Sequence, residues 1–192
     1  ALLARLAGER RIDPRSCVWF VDDGSRDRTW PLIDELSRAG AGQVAGLKLS
    51  RNRGHQIALL AGLFGAKGDV LISVDADLQD DLEAIPKMLE QHAAGSEVVY
   101  GVRADRSSDT FFKRFTAEGY YRVLDALGVE IVFNHADYRL MSRRVVEALR
   151  QHDERNVFLR GLVPQLGFRS STVEYERGER FARIAVLDQQ HR

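Results

Sequence analysis

The sequence predicts an α/β protein with a mainly parallel sheet and helices on both faces. Three observations predict it. Short apolar runs of strand length alternate with stretches of helical spacing over most of the first hundred residues. The acidic clusters fall where those runs end, which is where open parallel sheets bind ligands. At 192 residues the chain is long enough for one domain with a sizeable core and cramped for two.

The elements follow in order. The opening Ala-Leu-Leu-Ala-Arg-Leu reads as helix rather than as a leader. Cys17 to Val21 is a short buried strand, and Thr29 to Ala39 has helical spacing with Leu32, Ile33 and Leu36 as its apolar positions. Val44 to Leu49 is the second strand. His55 to Ala66 is a helix with Ile57, Leu60, Ala61 and Phe64 on one face. Val70 to Val74 is the third strand, Asp81 opens a helix to about His92, and Glu97 to Gly101 is the fourth strand. Beyond it, Thr110 to Leu127 reads as a long helix in which Phe111, Phe112, Phe115, Tyr120 and Tyr121 interleave with Lys113, Arg114 and Arg122. Tyr138 to Met141 is a short strand, and Ser142 is placed to cap the helix through Leu149. Arg155 to Leu166 reads as helix and Ser171 to Tyr175 as a last strand.

Composition excludes more than it assigns. Hydrophobic residues make up 44% and charged residues 29%, the balance of an ordinary globular domain. Lys and Arg together number 28, as do Asp and Glu, so net charge gives no case for a nucleic-acid partner. One cysteine, Cys17, permits no internal disulfide and is expected in the core as a small hydrophobe. No stretch approaches the ~18 to 20 apolar residues of a membrane-spanning helix.

Three turns carry chemistry. In Leu71-Ile72-Ser73-Val74-Asp75-Ala76-Asp77-Leu78-Gln79-Asp80 an apolar strand ends in two carboxylates spaced two apart. Mg²⁺ and Mn²⁺ prefer oxygen ligands and bind through one or two carboxylates plus substrate phosphates. A solvated acidic turn capping the next helix competes with that reading. In Val21-Asp22-Asp23-Gly24-Ser25 a second strand ends in two acids that can accept hydrogen bonds from a ribose or base. Turn chemistry accounts for them too, with Ser25 or Asp27 capping the helix that follows. Ser50-Arg51-Asn52-Arg53-Gly54-His55 places a glycine and arginines before a helix start, a setting that attracts phosphate. His55 itself reads first as a capping or surface residue. Together the three strand ends describe a nucleotide-phosphate site with its ion.

The ordered set Val-Asp-Asp-Gly-Ser, Arg-Asn-x-Gly-His-Gln, Asp-Ala-Asp-Leu-Gln-Asp, Gly-Val-Arg and Ala-Asp-Tyr-Arg-Leu-Met extends from about Cys17 to Tyr175. It resembles the inverting GT-A-fold glycosyltransferases of the dolichyl-phosphate-mannose synthase and bactoprenol glucosyltransferase group, in glycosyltransferase family 2. The resemblance implies a single GT-A (Rossmann-like) catalytic domain over residues 1–192 and transfer of a hexose from a UDP- or GDP-sugar. It implies polyprenyl or dolichyl phosphate as acceptor, a place on the cytoplasmic face of a membrane, and a homo-oligomer as a further partner. Asp22 and Asp23 would contact the nucleoside with Arg51 nearby. Asp75 and Asp77 would hold Mg²⁺ or Mn²⁺ and the diphosphate, with Gln79 completing the ion's ligands. Asp77 and Asp137 would be the catalytic acids, Asp137 lying near the acceptor. On its residues alone Asp137 is only an acid before a short strand. Arg103, Lys113 or Arg114, Arg177 and Arg180 would meet the acceptor phosphate. The aromatic and cationic helix from Thr110 then suits a membrane interface, while a core helix with Arg stems across its flank fits the same pattern.

Two departures from the family pattern lead to the expectation of a fragment. The family's first strand, with its Pro-x-Tyr-Asn-Glu-like segment, has no counterpart, and Tyr175-Glu-Arg-Gly-Glu-Arg180 runs on without the usual Gly-Ser-Lys-Tyr-like continuation. The rivals are a haloacid-dehalogenase-type phosphatase, a sugar-phosphate nucleotidyltransferase and a nucleotide-sugar-binding module without turnover. The phosphatase wants a Thr or Val soon after its doublet, where this chain has Leu78-Gln79.

Overall fold

A computed structural model describes residues 2–40, 42–77, 79–104, 135–152 and 158–176. Its elements are α1 (Leu2–Gly8), β1 (Val18–Asp22), α2 (Thr29–Ala39), β2 (Val44–Lys48), α3 (His55–Gly65), β3 (Val70–Ser73), a 3₁₀ turn (Leu82–Ala84), α4 (Ile85–Ala93) and β4 (Val98–Arg103). They continue with β5 (His135–Ser142), α5 (Arg143–Arg150), α6 (Leu159–Gln165) and β6 (Ser170–Tyr175). The long helix expected from Thr110 lies outside the described residues, as does the start of the helix expected from Arg155.

β1 and β2 pair in parallel, and β3, β5, β4 and β6 form a second sheet in that order. β5 runs antiparallel to both β3 and β4, and β4 is parallel to β6. Three of the four strands therefore point one way, and the reversed strand starts where they end. That reversal brings Asp137, near the start of β5, to the carboxyl ends of β3, β4 and β6.

Alternate residues of a strand face opposite sides, and the core divides accordingly. Val98, Tyr100 and Met141 pack with Leu63 of α3, Val145, Val146 and Leu149 of α5, and Leu159, Leu162 and Val163 of α6. Val99, Tyr138, Leu140 and Val173 pack on the other face with Ala84 and Met88. Helices on both faces, as the alternation predicts, are thus observed. Ser142 caps α5 by accepting the N–H of Val145, and the helix after Asp81 begins as a 3₁₀ turn capped by that aspartate.

Two expectations need correction, those for Cys17 and Ile57. Cys17 is exposed rather than in the core, because it precedes β1 where Val18 is itself exposed and no layer covers either. In α2 only Ile33 is buried; Leu32 and Leu36 are about half exposed, at 48% and 51%. In α3 Leu60 and Phe64 of the expected face pack partly buried against the cluster around Leu63, while Ile57 is exposed. α3 packs through glycine: a Cβ at Gly62 would stand 2.7 Å from Cγ2 of Val21, so the close approach to β1 selects the helix face.

Candidate active site

The site is built from loops at the carboxyl ends of the strands. Asp22, the last residue of β1, is buried; its Oδ1 accepts the N–H of Ser25 at 3.0 Å, and its Oδ2 has no partner among the described residues. Asp23 turns toward the next loop, where its two oxygens accept the N–H groups of Arg53 and Gly54 at 2.7 and 2.8 Å. The turn expected to cradle a phosphate thus gives these two N–H groups to a carboxylate of the chain itself. Gly24, at φ 72°, lets the loops touch, since a Cβ there would meet the backbone carbon of Arg51 at 2.5 Å. Arg51 is exposed on this joined surface. Asp27 accepts the N–H of Thr29 at 2.9 Å just before α2, whose N-cap is Arg28 without a side-chain cap bond.

Beyond β3 the chain enters the acidic turn. Asp75 and Asp77 are half-buried, and Asp77 accepts the N–H of Gln79 at 3.1 Å. Gln79 is buried, as is Asp80. Asp80 Oδ1 accepts the hydroxyl of Tyr175 at 2.5 Å, and its Oδ2 has no partner among the described residues. Burial raises the Asp75 carboxyl above its usual value; His55 opposes the rise, while Asp80, Asp137 and Asp77 add to it. Burial, with Asp80, pushes the Tyr175 hydroxyl up to about 12. Arg103, at the end of β4, donates from Nε to Tyr175 at 3.3 Å and stands 4.0 Å from Asp80.

Asp137 is 4% exposed, and its partners were mostly not foreseen. Nη2 of the fully buried Arg139 donates to Oδ1 at 2.6 Å. His55 Nε2 meets Oδ2 at 2.8 Å, Arg160 Nη2 at 3.3 Å and Gln56 Nε2 at 3.5 Å. Burial alone would push this carboxyl up, but the bonds from Arg160 and His55 and the charge of Arg139 outweigh it and hold it below the usual carboxylate range. The sequence held part of this signal. Asp137 and Arg139, two apart in a strand, share a face, and His55-Gln56 closes the Arg-Asn-x-Gly-His-Gln motif. Arg160 gave no local signal, since only the packing of α6 brings it across. Lys113, Arg114, Arg177 and Arg180 lie outside the described residues.

The donor set fits a divalent cation held partly by substrate. Asp75 and Asp77 put carboxylates in one turn; burial first, and then Asp80, Asp137 and Asp77, raise the Asp75 carboxyl, and a cation would favour its charged form. Among the described residues no group of three or more His, Cys, Asp or Glu is placed to hold a metal ion. An ion bound through one or two carboxylates and a diphosphate needs none. Among the same residues no helix is long and apolar enough to cross a membrane.

Strand-end acids in an α/β domain define a ligand-binding enzyme architecture, and comparison with known proteins assigns its family. The profile of Glycosyl transferase family 2 matches residues 3–150, and the chain belongs to that family. It is 52% identical over 179 residues to the uncharacterized glycosyltransferase YkoT of Bacillus subtilis (strain 168), covering 92% of this chain and 53% of that protein. It is 42% identical over 172 residues to the bactoprenol glucosyl transferase of Shigella phage SfV, covering 89% and 56%. The chain thus spans about half the length of these curated relatives. A solved glucosyl-3-phosphoglycerate synthase from Mycobacterium tuberculosis, in complex with Mn²⁺, UDP-glucose and phosphoglyceric acid, matches 90% of this chain and 64% of its own. The TM-score is 0.47 at 17% identity, a likeness too distant to carry any residue's role.

Proposed function

We propose that this chain is the catalytic domain of a metal-dependent inverting glycosyltransferase. It moves a hexose from a UDP- or GDP-sugar to a polyprenyl phosphate at the cytoplasmic face of a membrane. The observation that carries the reading is the acidic turn with Asp75 and Asp77 just past the end of β3, where burial first, and then Asp80, Asp137 and Asp77, raise the Asp75 carboxyl. Family membership supports it, as does 42% identity to a relative named for bactoprenol glucosyl transfer.

Asp75 and Asp77, with Gln79, would hold Mg²⁺ or Mn²⁺. Bound there, the cation supplies charge stabilisation for a diphosphate that departs as an anion. Asp22 would contact the nucleoside at the end of β1, where it is buried and holds the turn through the N–H of Ser25. Asp23 acts behind it by holding the loop that carries Arg51. In a single in-line displacement the acceptor oxygen forms its bond to the anomeric carbon as the bond to the diphosphate oxygen breaks. The bonding pair leaves with the nucleoside diphosphate, and the configuration inverts. Arg103 is at the β4 end of the site, and with Lys113, Arg114, Arg177 and Arg180 it would contact the acceptor phosphate.

Calorimetry of UDP and GDP binding to the full-length protein, with and without Mn²⁺, tests the reading. Binding of one nucleotide that disappears without metal is expected. Absence of metal-dependent binding for both would remove the reading's physical basis.

A further inference from the structure

The acidic turn leaves β3 and rejoins the fold at Asp80 and Asp81, and both of its ends are tied to the sheet. At the entry the hydroxyl of Ser73, the last residue of β3, donates to the carbonyl of Asp137 on β5. At the exit Tyr138 donates its hydroxyl to the carbonyl of Asp81 at 2.9 Å, and Tyr175 donates its own to Oδ1 of Asp80 at 2.5 Å. Asp75 and Asp77 lie between these ties.

The bond from Tyr175 to Asp80 differs from the other two in joining side chain to side chain, across ninety-five positions of sequence. Both residues are buried. Arg103 fixes the direction of the bond. The register of β4 and β6 sets Arg103 beside Tyr175, and Arg103 donates from Nε to the tyrosine oxygen at 3.3 Å. An arginine accepts no hydrogen bond, so the one hydroxyl hydrogen of Tyr175 goes to Asp80. The ring itself is placed by packing: Tyr138 meets it edge-on with centroids 5.1 Å apart, in the core with Met88 and Val99. What the hydroxyl holds is the carboxylate.

Oδ2 of Asp80 has no partner among the described residues, and Arg103 stands 4.0 Å from Oδ1. Without the tyrosine hydroxyl, a buried carboxylate would be left without a hydrogen bond and driven toward water. Its movement would pass to the neighbouring Gln79, whose N–H is given to Asp77 at 3.1 Å. Partners that orient a metal's ligands from behind cost about 10- to 100-fold in metal affinity when lost.

We propose that Tyr175 is a positioning residue of this site: its hydroxyl anchors Asp80 and so fixes the turn in which Asp75 and Asp77 would meet a divalent cation. The proposal rests on the metal-dependent glycosyl-transfer reading.

The test is Tyr175→Phe in the full-length protein, which deletes the hydroxyl and keeps the ring. Binding of UDP or GDP is titrated by calorimetry against Mn²⁺, the wild type first. Absence of Mn²⁺-dependent binding in the wild type overturns the donor-site reading, and the proposal falls with it. Where the wild type binds, Tyr175→Phe should raise the half-saturating Mn²⁺ concentration about tenfold or more, with the number of sites per chain unchanged. A residue that only supported the fold would lower the number of sites and leave the Mn²⁺ constant as it was. Asp80→Ala should raise the same constant, and adding Tyr175→Phe to it should change the constant by less than about twofold, since the two side chains act as one unit. Hydrogen exchange of the metal-free protein gives a second readout: the amides of residues 75–80 should exchange faster in Tyr175→Phe, and those of β4 at the wild-type rate. The proposal is overturned if Tyr175→Phe leaves the Mn²⁺ constant within about twofold of the wild type. It is equally overturned if the variant weakens Mn²⁺ binding as much in the Asp80→Ala background as in the wild type, or if exchange in the turn does not change.

Discussion

Gly54 donates its N–H to Oδ2 of Asp23 at 2.8 Å across thirty-one positions of sequence, and Arg53 donates to the other oxygen. The bond joins the loop after β1 to the loop before α3. One carboxylate therefore sets the surface on which Arg51 lies and the point at which α3 starts. Asp23→Ala should leave both exposed N–H groups to water and cost about 0.5–1.5 kcal/mol. Urea unfolding would read the loss, and metal-dependent nucleotide binding should weaken in the same variant.

Gly24 serves the same junction sterically. Gly24→Ala puts a side chain at φ 72° and 2.5 Å from the Arg51 carbon, where only backbone can yield. A loss of at least about 1–2 kcal/mol is expected from the left-handed conformation alone, seen as a lower Tm.

Asp75 presents the opposite case, a residue whose charge opposes folding. Its carboxyl is raised, so the folded state holds the proton more tightly than the unfolded chain does. Stability is therefore lost as pH rises from the unfolded value, about 3.9, through the higher folded one. Asp75→Asn should stabilise the metal-free protein at pH 7 by about 0.5–2 kcal/mol and abolish metal-dependent nucleotide binding. Thermal unfolding paired with calorimetry checks both halves.

Asp137 has the reverse sign. Its carboxyl is held down, so its contribution is complete above about pH 4 and is lost as pH falls through the lower folded value. Acid unfolding of Asp137→Asn should show a flatter loss in that window than the wild type.

Arg139 is fully buried against Asp137. Arg139→Leu strands the carboxylate in the core and should destabilise by about 3–5 kcal/mol. Denaturant midpoints compared with Asp137→Asn/Arg139→Leu would test this, since removing both charges should restore part of the loss.

The family and the acidic strand ends were legible because they are local. A strand end, its turn glycine and its carboxylates lie within a few residues, and the alternation of periods marks where each sheet strand stops. Asp22, Asp75 and Asp77 could be singled out as candidates on that basis, and Ser142 could be assigned as a cap. Ile57 was misplaced on the inner face of α3 because hydrophobic spacing cannot show that Gly62 is the point of closest approach to Val21. Cys17 was misplaced because apolar character does not show whether a layer covers the strand's first residues.

The sequence by itself determined the strand-and-helix order, the caps and the chemical character of each turn, since these depend on residues next to one another. Only the tertiary structure decided what the carboxylates do. Asp23 became a loop anchor, and Asp137 acquired Arg139, His55 and Arg160, because β5 runs antiparallel and α6 packs beside α3. A carboxylate's ionisation and role are set by the charges and donors within a few ångströms of it, and folding brings those neighbours from distant parts of the chain.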